Sequence, residues 1–271
     1  MMIKLADSHC HILDARLCNR AEEIVANLDK DGLDFIVEVS ASVKESPESL
    51  AFAEAHDKVY CTIGVHPETV KDYNDDFENW AVKQKGNKKI VAVGECGLDY
   101  HYRPFDKELQ KTVFTRQILL ADKLCLPLVI HTRDAFDDTL EILIKNKNSI
   151  GNGLLLHCFS ESAEEVGRVR EHFDAYFAFG GAVTYKSEKS DGAIRAVGLD
   201  RMLLETDSPY LNPLSAGGKK IANEPKNVRY VANYISDLLN VSVEEVAEKT
   251  LANTKRLYVI SPMLAPSRGR R

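Results

Sequence analysis

The chain has 271 residues, with 41 acidic against 35 basic side chains and a formal net charge of −6. Its 44% hydrophobic and 28% charged residues supply a large globular core, which excludes intrinsic disorder, a collagen-like repeat and a membrane bundle. The acidic balance argues against a protein that grips nucleic acid through a broad basic face, while leaving room for a small local phosphate site.

At the N-terminus, Asp7 and His9 interrupt the apolar run that a secretory signal needs. No stretch approaches the roughly 18 apolar residues of a membrane span. A cytoplasmic protein with no membrane partner is the expectation. Six cysteines without a CxxC pair read as reduced thiols rather than a zinc-finger framework.

Short apolar runs recur at 3–6, 35–39, 59–63, 90–93, 128–130, 153–156, 175–179 and 202–204, each the size of a strand buried on both faces. Amphipathic stretches at 21–30, 47–55, 77–85, 106–124, 135–147, 163–171 and 191–197 lie between them and predict helices. Two more, at 224–239 and 243–257, close the pattern. Eight strand–helix units in series predict a (β/α)8 TIM barrel, a fold of about 250 residues. An open doubly wound sheet would need a glycine-rich phosphate turn after its first strand, where His9-Cys10-His11 stands instead. One barrel domain over 1–260 and a disordered basic tail over 261–271 are expected, in a protein that works as a monomer.

Ligand-type residues collect where these strands end. His9 and His11 follow the first strand, His66 the third, Glu95 the fourth, His131 the fifth, His157 the sixth and Asp207 the eighth. In a (β/α)8 barrel those ends surround one mouth, where active sites are built. His9 and His11, two apart on a strand, point to one side and offer two imidazoles to a divalent metal; the plainer reading is a hydrogen-bonded loop pair. Asp7, of the same parity, is either an acceptor that orients an imidazole or a satisfied buried acid. Glu95 lies between Gly94 and Gly97, and its two oxygens can bridge two cations. His9, His11, Glu95 and Asp207 would then surround one ion, and Glu95, His131 and His157 a second. Two such ions stabilise both the attacking and the leaving oxygen of a displacement at phosphorus. Asp207 is placed to take the proton of the attacking water as general base, beside Glu95 as the other catalytic carboxylate.

Substrate contacts are assigned to His66, Arg133 and Tyr100. His66 touches the substrate, protonates a leaving oxygen or is ordered by its own loop. Arg133 forks onto a phosphate or pairs with Asp134 or Asp137. Glu205 supports the site from below or forms a plain buried ion pair. Tyr100, Tyr102, Phe159 and Tyr185 stack on a base or simply pack. Cys10, Cys96 and Cys158 face away from the metals as small apolar groups.

As a set, the motifs at 7–11, 64–67, 94–100, 131–134, 157–160, 180–181, 205–211 and 223–228 resemble the TatD family of metal-dependent hydrolases, in the family's order and over almost the whole chain. The resemblance implies a TIM barrel, a divalent-metal site, phosphodiester hydrolysis and, typically, 3′-to-5′ removal of nucleotides from DNA and sometimes RNA. The ligands it implies are His9, His11, Glu95, His131, His157 and Asp207. A basic residue often precedes the family's Asn-Glu-Pro; here Ala222 stands there, with Lys219 and Lys220 upstream, and Ser208 replaces a common alanine. The leading expectation is a 3′-5′ exodeoxyribonuclease acting on nucleic-acid ends with two divalent metal ions, Mg2+, Mn2+ or Zn2+; mixed nitrogen and oxygen ligands suit Mn2+ or Zn2+ better than Mg2+. The alternative is a metal-dependent ester or amide hydrolase such as a D-aminoacyl-tRNA deacylase. No lysine ends the fourth strand, which weighs against the amidohydrolase form of that chemistry.

Overall fold

A computed structural model describes residues 3–260; the expected tail over 261–271 lies outside them. Eight strands form one parallel sheet in sequential order: β1 (Leu5–Cys10), β2 (Leu33–Val39), β3 (Val59–Ile63), β4 (Ile90–Asp99), β5 (Leu128–Arg133), β6 (Leu154–Leu156), β7 (Tyr176–Phe179) and β8 (Met202–Leu204). Between them run α1 (Ala21–Ala26), α2 (Glu45–Ala55), α3 (Asp75–Lys83), α4 (Lys107–Leu124), α5 (Phe136–Lys145), α6 (Ala163–Arg170) and α7 (Glu188–Val197). α8 (Val228–Leu239) and α9 (Val243–Leu257) follow β8.

Local chemistry sets the helix boundaries. The side chains of Asn74, Asp106, Ser162, Ser187 and Ser242 accept backbone N–H bonds at the starts of α3, α4, α6, α7 and α9, satisfying donors that have no partner inside the helix. At α6, Glu165 reaches back to the Ser162 N–H and completes a capping box. Pro225 opens a single 3-10 turn, so α8 starts at Val228 rather than at 224.

One apolar layer lies between sheet and helices and includes Phe114, Ile118 and Phe177. A second fills the barrel. Ala6, Val37, Val39, Val91, Ala92, Val129, Leu155, Ala178 and Leu203 belong to it, β3 reaches it through Tyr60, and Leu257 and Tyr258 join it from the end of α9. Parity then carries the site. Two residues beyond Val129 and Leu155 come His131 and His157, and two and four beyond Leu203 come Glu205 and Asp207.

β1 and β4 reach the mouth differently. Register shifts fall between Asp7 and Cys10 and between Val93 and Cys96, just where His9 and Glu95 are needed. Such irregularities re-aim a side chain. The seam between β8 and β1 closes at the mouth, where His11 N–H donates to the Ser208 carbonyl (2.7 Å) and Asp207 N–H to that of His9 (2.9 Å). One layer deeper, the Asp7 carboxylate accepts from Thr206 N–H (2.8 Å) and from its hydroxyl (2.5 Å), so a side chain closes the barrel there. Asp7 is therefore a satisfied buried acid and touches no imidazole.

Candidate metal centre

Glu95 sits at the middle of the mouth, 4% exposed, and its two oxygens face different partners. Oε2 lies 3.3 Å from His9 Nε2 and 3.7 Å from His11 Nε2. Oε1 lies 2.7 Å from His157 Nε2 and 2.8 Å from His131 Nδ1. Asp207 Oδ1 completes the first group, 3.4 Å from His11 Nε2 and 3.8 Å from His9 Nε2. Donors bound to one cation at about 2.1 Å stand roughly 3–3.5 Å apart, which the spacings around His9, His11 and Asp207 approach, whereas the two contacts of Oε1 are at hydrogen-bond length.

The imidazole tautomers point the same way. His11 Nδ1 lies 2.7 Å from the Val39 carbonyl, which only an N–H can satisfy, so in the neutral ring it is Nε2 that offers a lone pair. That lone pair faces His9 Nε2 at 3.2 Å, a contact that needs a proton or a cation between the two nitrogens. The His9 ring also stacks on that of His157 at 3.9 Å, an arrangement that two charged imidazoles would resist. The donor set therefore fits divalent metal.

Electrostatics prepares the carboxylates. Burial pulls Glu95 upward, but His157, His66 and His131 more than reverse it and hold the acid well below its usual range. Asp207 is likewise lowered against its burial, through His11, His9 and His157. His9 is lowered by burial and by His157. His11 is opposed by burial, yet Asp207 and Glu95 raise it to about 9. A cation entering here displaces protons from imidazoles onto which the acids have drawn them.

Two acids brace the ligands from behind. Asp99 Oδ2 lies 2.9 Å from His131 Nε2 on the side of the ring away from Glu95, so the two acids hold the ring between them with Nδ1 toward Glu95. The sequence reading does not single out Asp99, although it shares the parity of Glu95 on β4. Glu205 accepts from Cys158 N–H (2.6 Å), and the same oxygen lies 3.5 Å from His157 Nδ1.

The three expected substrate contacts fall in three settings. His66 stands beside the centre, its Nε2 3.7 Å from Glu95 Oε1 and its ring 4.4 Å from that of His131. Its Nδ1 accepts from Glu68 N–H, so Nε2 carries the hydrogen, and burial and His131 push its pKa down to about 3. Arg133 pairs with neither Asp134 nor Asp137 but donates to the Tyr102 hydroxyl (2.9 Å). The Tyr100 hydroxyl donates to Asp138 (2.8 Å), and its ring stacks on Phe105 and carries Lys107, so it is engaged in packing. Cys10 and Cys96 are fully buried beside the strands, each directing its thiol at a neighbouring strand's carbonyl. Among the described residues, no helix is long and apolar enough to cross a membrane.

Residues 6–259 match the family model described as TatD related DNase. The chain is 36% identical to the uncharacterized metal-dependent hydrolase YabD of Bacillus subtilis, over 95% of this chain and 100% of that protein. It is 31% identical to the deoxyribonuclease Tat-D of Schizosaccharomyces pombe, over 87% of this chain and 86% of that one. Among solved structures, YjjV, a TatD homologue from Escherichia coli, aligns with a TM-score of 0.88 at 25% identity, covering 96% of this chain and 100% of that chain. Sequence, fold and the donor set at the barrel mouth agree: the chain belongs to the TatD family of metal-dependent hydrolases.

Proposed function

We propose that this hydrolase cleaves phosphodiester bonds at the 3′ ends of nucleic acid, with two divalent cations held by His9, His11, Glu95, His131, His157 and Asp207. The observation that carries the reading is the split address of Glu95, one oxygen toward His9 and His11 and the other toward His131 and His157. A likeness to a deoxyribonuclease at 31% identity supports the phosphodiester substrate. Imidazole-rich coordination favours Mn2+ or Zn2+ over Mg2+.

When bound, the two cations supply positive charge to the attacking and leaving oxygens and make water acidic enough to attack at neutral pH. The protein's own groups do the rest. Asp207, ionised and partly open to solvent, takes the proton of the attacking water through Oδ1 or Oδ2. Its backbone is fixed at φ 54° by the hydrogen bond to the His9 carbonyl, which sets the direction from which it acts. Glu95 keeps both halves of the centre in register. His66, neutral with Nε2–H facing the mouth, donates a hydrogen bond to a phosphate oxygen. A neutral imidazole is a poor acid, so the leaving 3′-oxygen takes its proton from solvent.

Incubation with a 5′-labelled single-stranded oligonucleotide and Mn2+ tests the reading. A ladder shortening from the 3′ end is the expected product. Intact oligonucleotide, with hydrolysis of aminoacyl or other carboxylic esters instead, would replace it with the ester-hydrolase reading.

A further inference from the structure

On the nuclease reading, the ion centre grips one phosphate, and nothing described so far holds the bases on either side of it. Two exposed tyrosines stand at the mouth. Tyr210, 46% exposed, follows β8; its N–H donates to the Asp207 carbonyl (2.8 Å) and its ring meets that of His11 edge-on at 6.1 Å. The Arg16 guanidinium lies 4.1 Å from the ring centroid on one face. Arg16 is itself clamped by Asp14 through two bonds of 2.9 Å, so ring and guanidinium are held together before any ligand arrives. Tyr102, 52% exposed, follows β4; Arg133 lies 4.8 Å from its ring centroid and donates to its hydroxyl.

Single exposed aromatics are ordinary on protein surfaces. Here, however, each is paired with an arginine and each stands within three residues of a candidate ligand or acid of the centre, Tyr210 of Asp207 and Tyr102 of Asp99. The sheet order runs without a break from β1 to β8, so β8 and β1 meet on one side of the mouth, and β4 and β5 lie diametrically across. The two tyrosines therefore stand on opposite sides of the centre.

We propose that Tyr210 with Arg16, and Tyr102 with Arg133, are two base-stacking platforms that take the nucleotides on either side of the scissile phosphate. This inference rests on the nuclease reading. Stacking needs a free base face, which a paired duplex end does not offer, so the substrate is a single-stranded or frayed end with at least two unpaired nucleotides. Because every base has a π-face, the platforms select unpaired ends rather than a sequence. The guanidinium beside each ring adds a positive charge for the adjacent phosphate.

Binding and cleavage are measured together on metal-loaded protein. Fluorescence anisotropy follows a labelled single-stranded oligonucleotide whose 3′-terminal linkages are phosphorothioate to slow cleavage, with an abasic site at either of its last two positions in companion probes. Each abasic site weakens binding to the unaltered chain, and Tyr210→Ala and Tyr102→Ala each weaken binding of the intact oligonucleotide roughly tenfold. Each variant loses the penalty for one abasic position and keeps the other. Tyr210→Trp and Tyr102→Trp restore binding, which a lost packing contact would not explain. Binding within twofold of the unaltered chain in both alanine variants, or abasic penalties unchanged in them, overturns the platforms. If the unaltered chain binds with these dependences but never cleaves the same oligonucleotide made with ordinary phosphodiester linkages, the nuclease reading falls and the platforms stand; if it binds no oligonucleotide, both fall.

Discussion

At the scale of single residues, the centre depends on acids beyond its six proposed ligands. Asp99 orients the His131 ring from the side opposite Glu95. Removing such a partner typically costs ten- to a hundredfold in metal affinity. We expect Asp99→Asn to bind Mn2+ about tenfold more weakly in calorimetric titration while its melting temperature without metal stays close to that of the unaltered chain. Glu38, 2% exposed behind the mouth, gives a pH test. Burial lifts its pKa to about 8, although its Oε2 accepts from Ile12 N–H at 2.7 Å. The folded state thus holds a proton that an unfolded glutamate releases near pH 4.5. That stabilisation is complete below about pH 4.5 and disappears as the pH rises toward 8. Glu38→Gln keeps an acceptor without the charge, so it should be more stable than the unaltered chain at pH 8, with an advantage that shrinks toward pH 5. Equal melting temperatures at pH 8 would contradict the assignment.

At the scale of elements, β4 and β5 are joined most tightly beside the ligands. A Cβ on Gly97, whose φ is 142°, would sit 2.0 Å from the His131 carbonyl oxygen. Gly97→Ala should therefore force the two strands apart, lower stability by about 2 kcal/mol or more in denaturant titration, and weaken metal binding through His131. The element scale also marks how far the sequence could be read. Eight apolar runs were enough for the barrel, and β3 and β8 begin and end where those runs do. β1, β4 and β5 run on past their apolar runs through Asp7–Cys10, Glu95–Asp99 and His131–Arg133, because residues at the mouth are buried by one another rather than by the core. The inward turn of Glu95 follows a register shift that strict alternation does not contain. His131, His157 and Asp207 lie on unbroken parity and were legible for that reason. Asp99 was legible by the same rule, two steps beyond Gly97, but nothing in its spacing distinguishes a brace from a surface acid. Tyr210 and Arg16, far apart in sequence, meet only because β8 closes on β1.

At the scale of the whole molecule, the net charge of −6 and the placement of acids at the mouth make the bound ions the main source of positive potential where phosphate must sit. Binding to long duplex should accordingly be weak, and affinity for a short single strand should fall only gently with salt, as for one to three neutralised phosphates. A steep slope, or duplex binding equal to single-strand binding, would point to a basic groove elsewhere. Metal should also stabilise the fold by mass action, by about 2.7 kcal/mol at a hundredfold excess over Kd, and chelator should reverse it. The most direct test of the central claim is the metal content of reconstituted protein, compared between the unaltered chain and Glu95→Ala. A carboxylate shared by two ions predicts close to two equivalents of Mn2+ or Zn2+ in the first and loss at both positions in the second. Two equivalents retained in folded Glu95→Ala would contradict a Glu95-bridged centre.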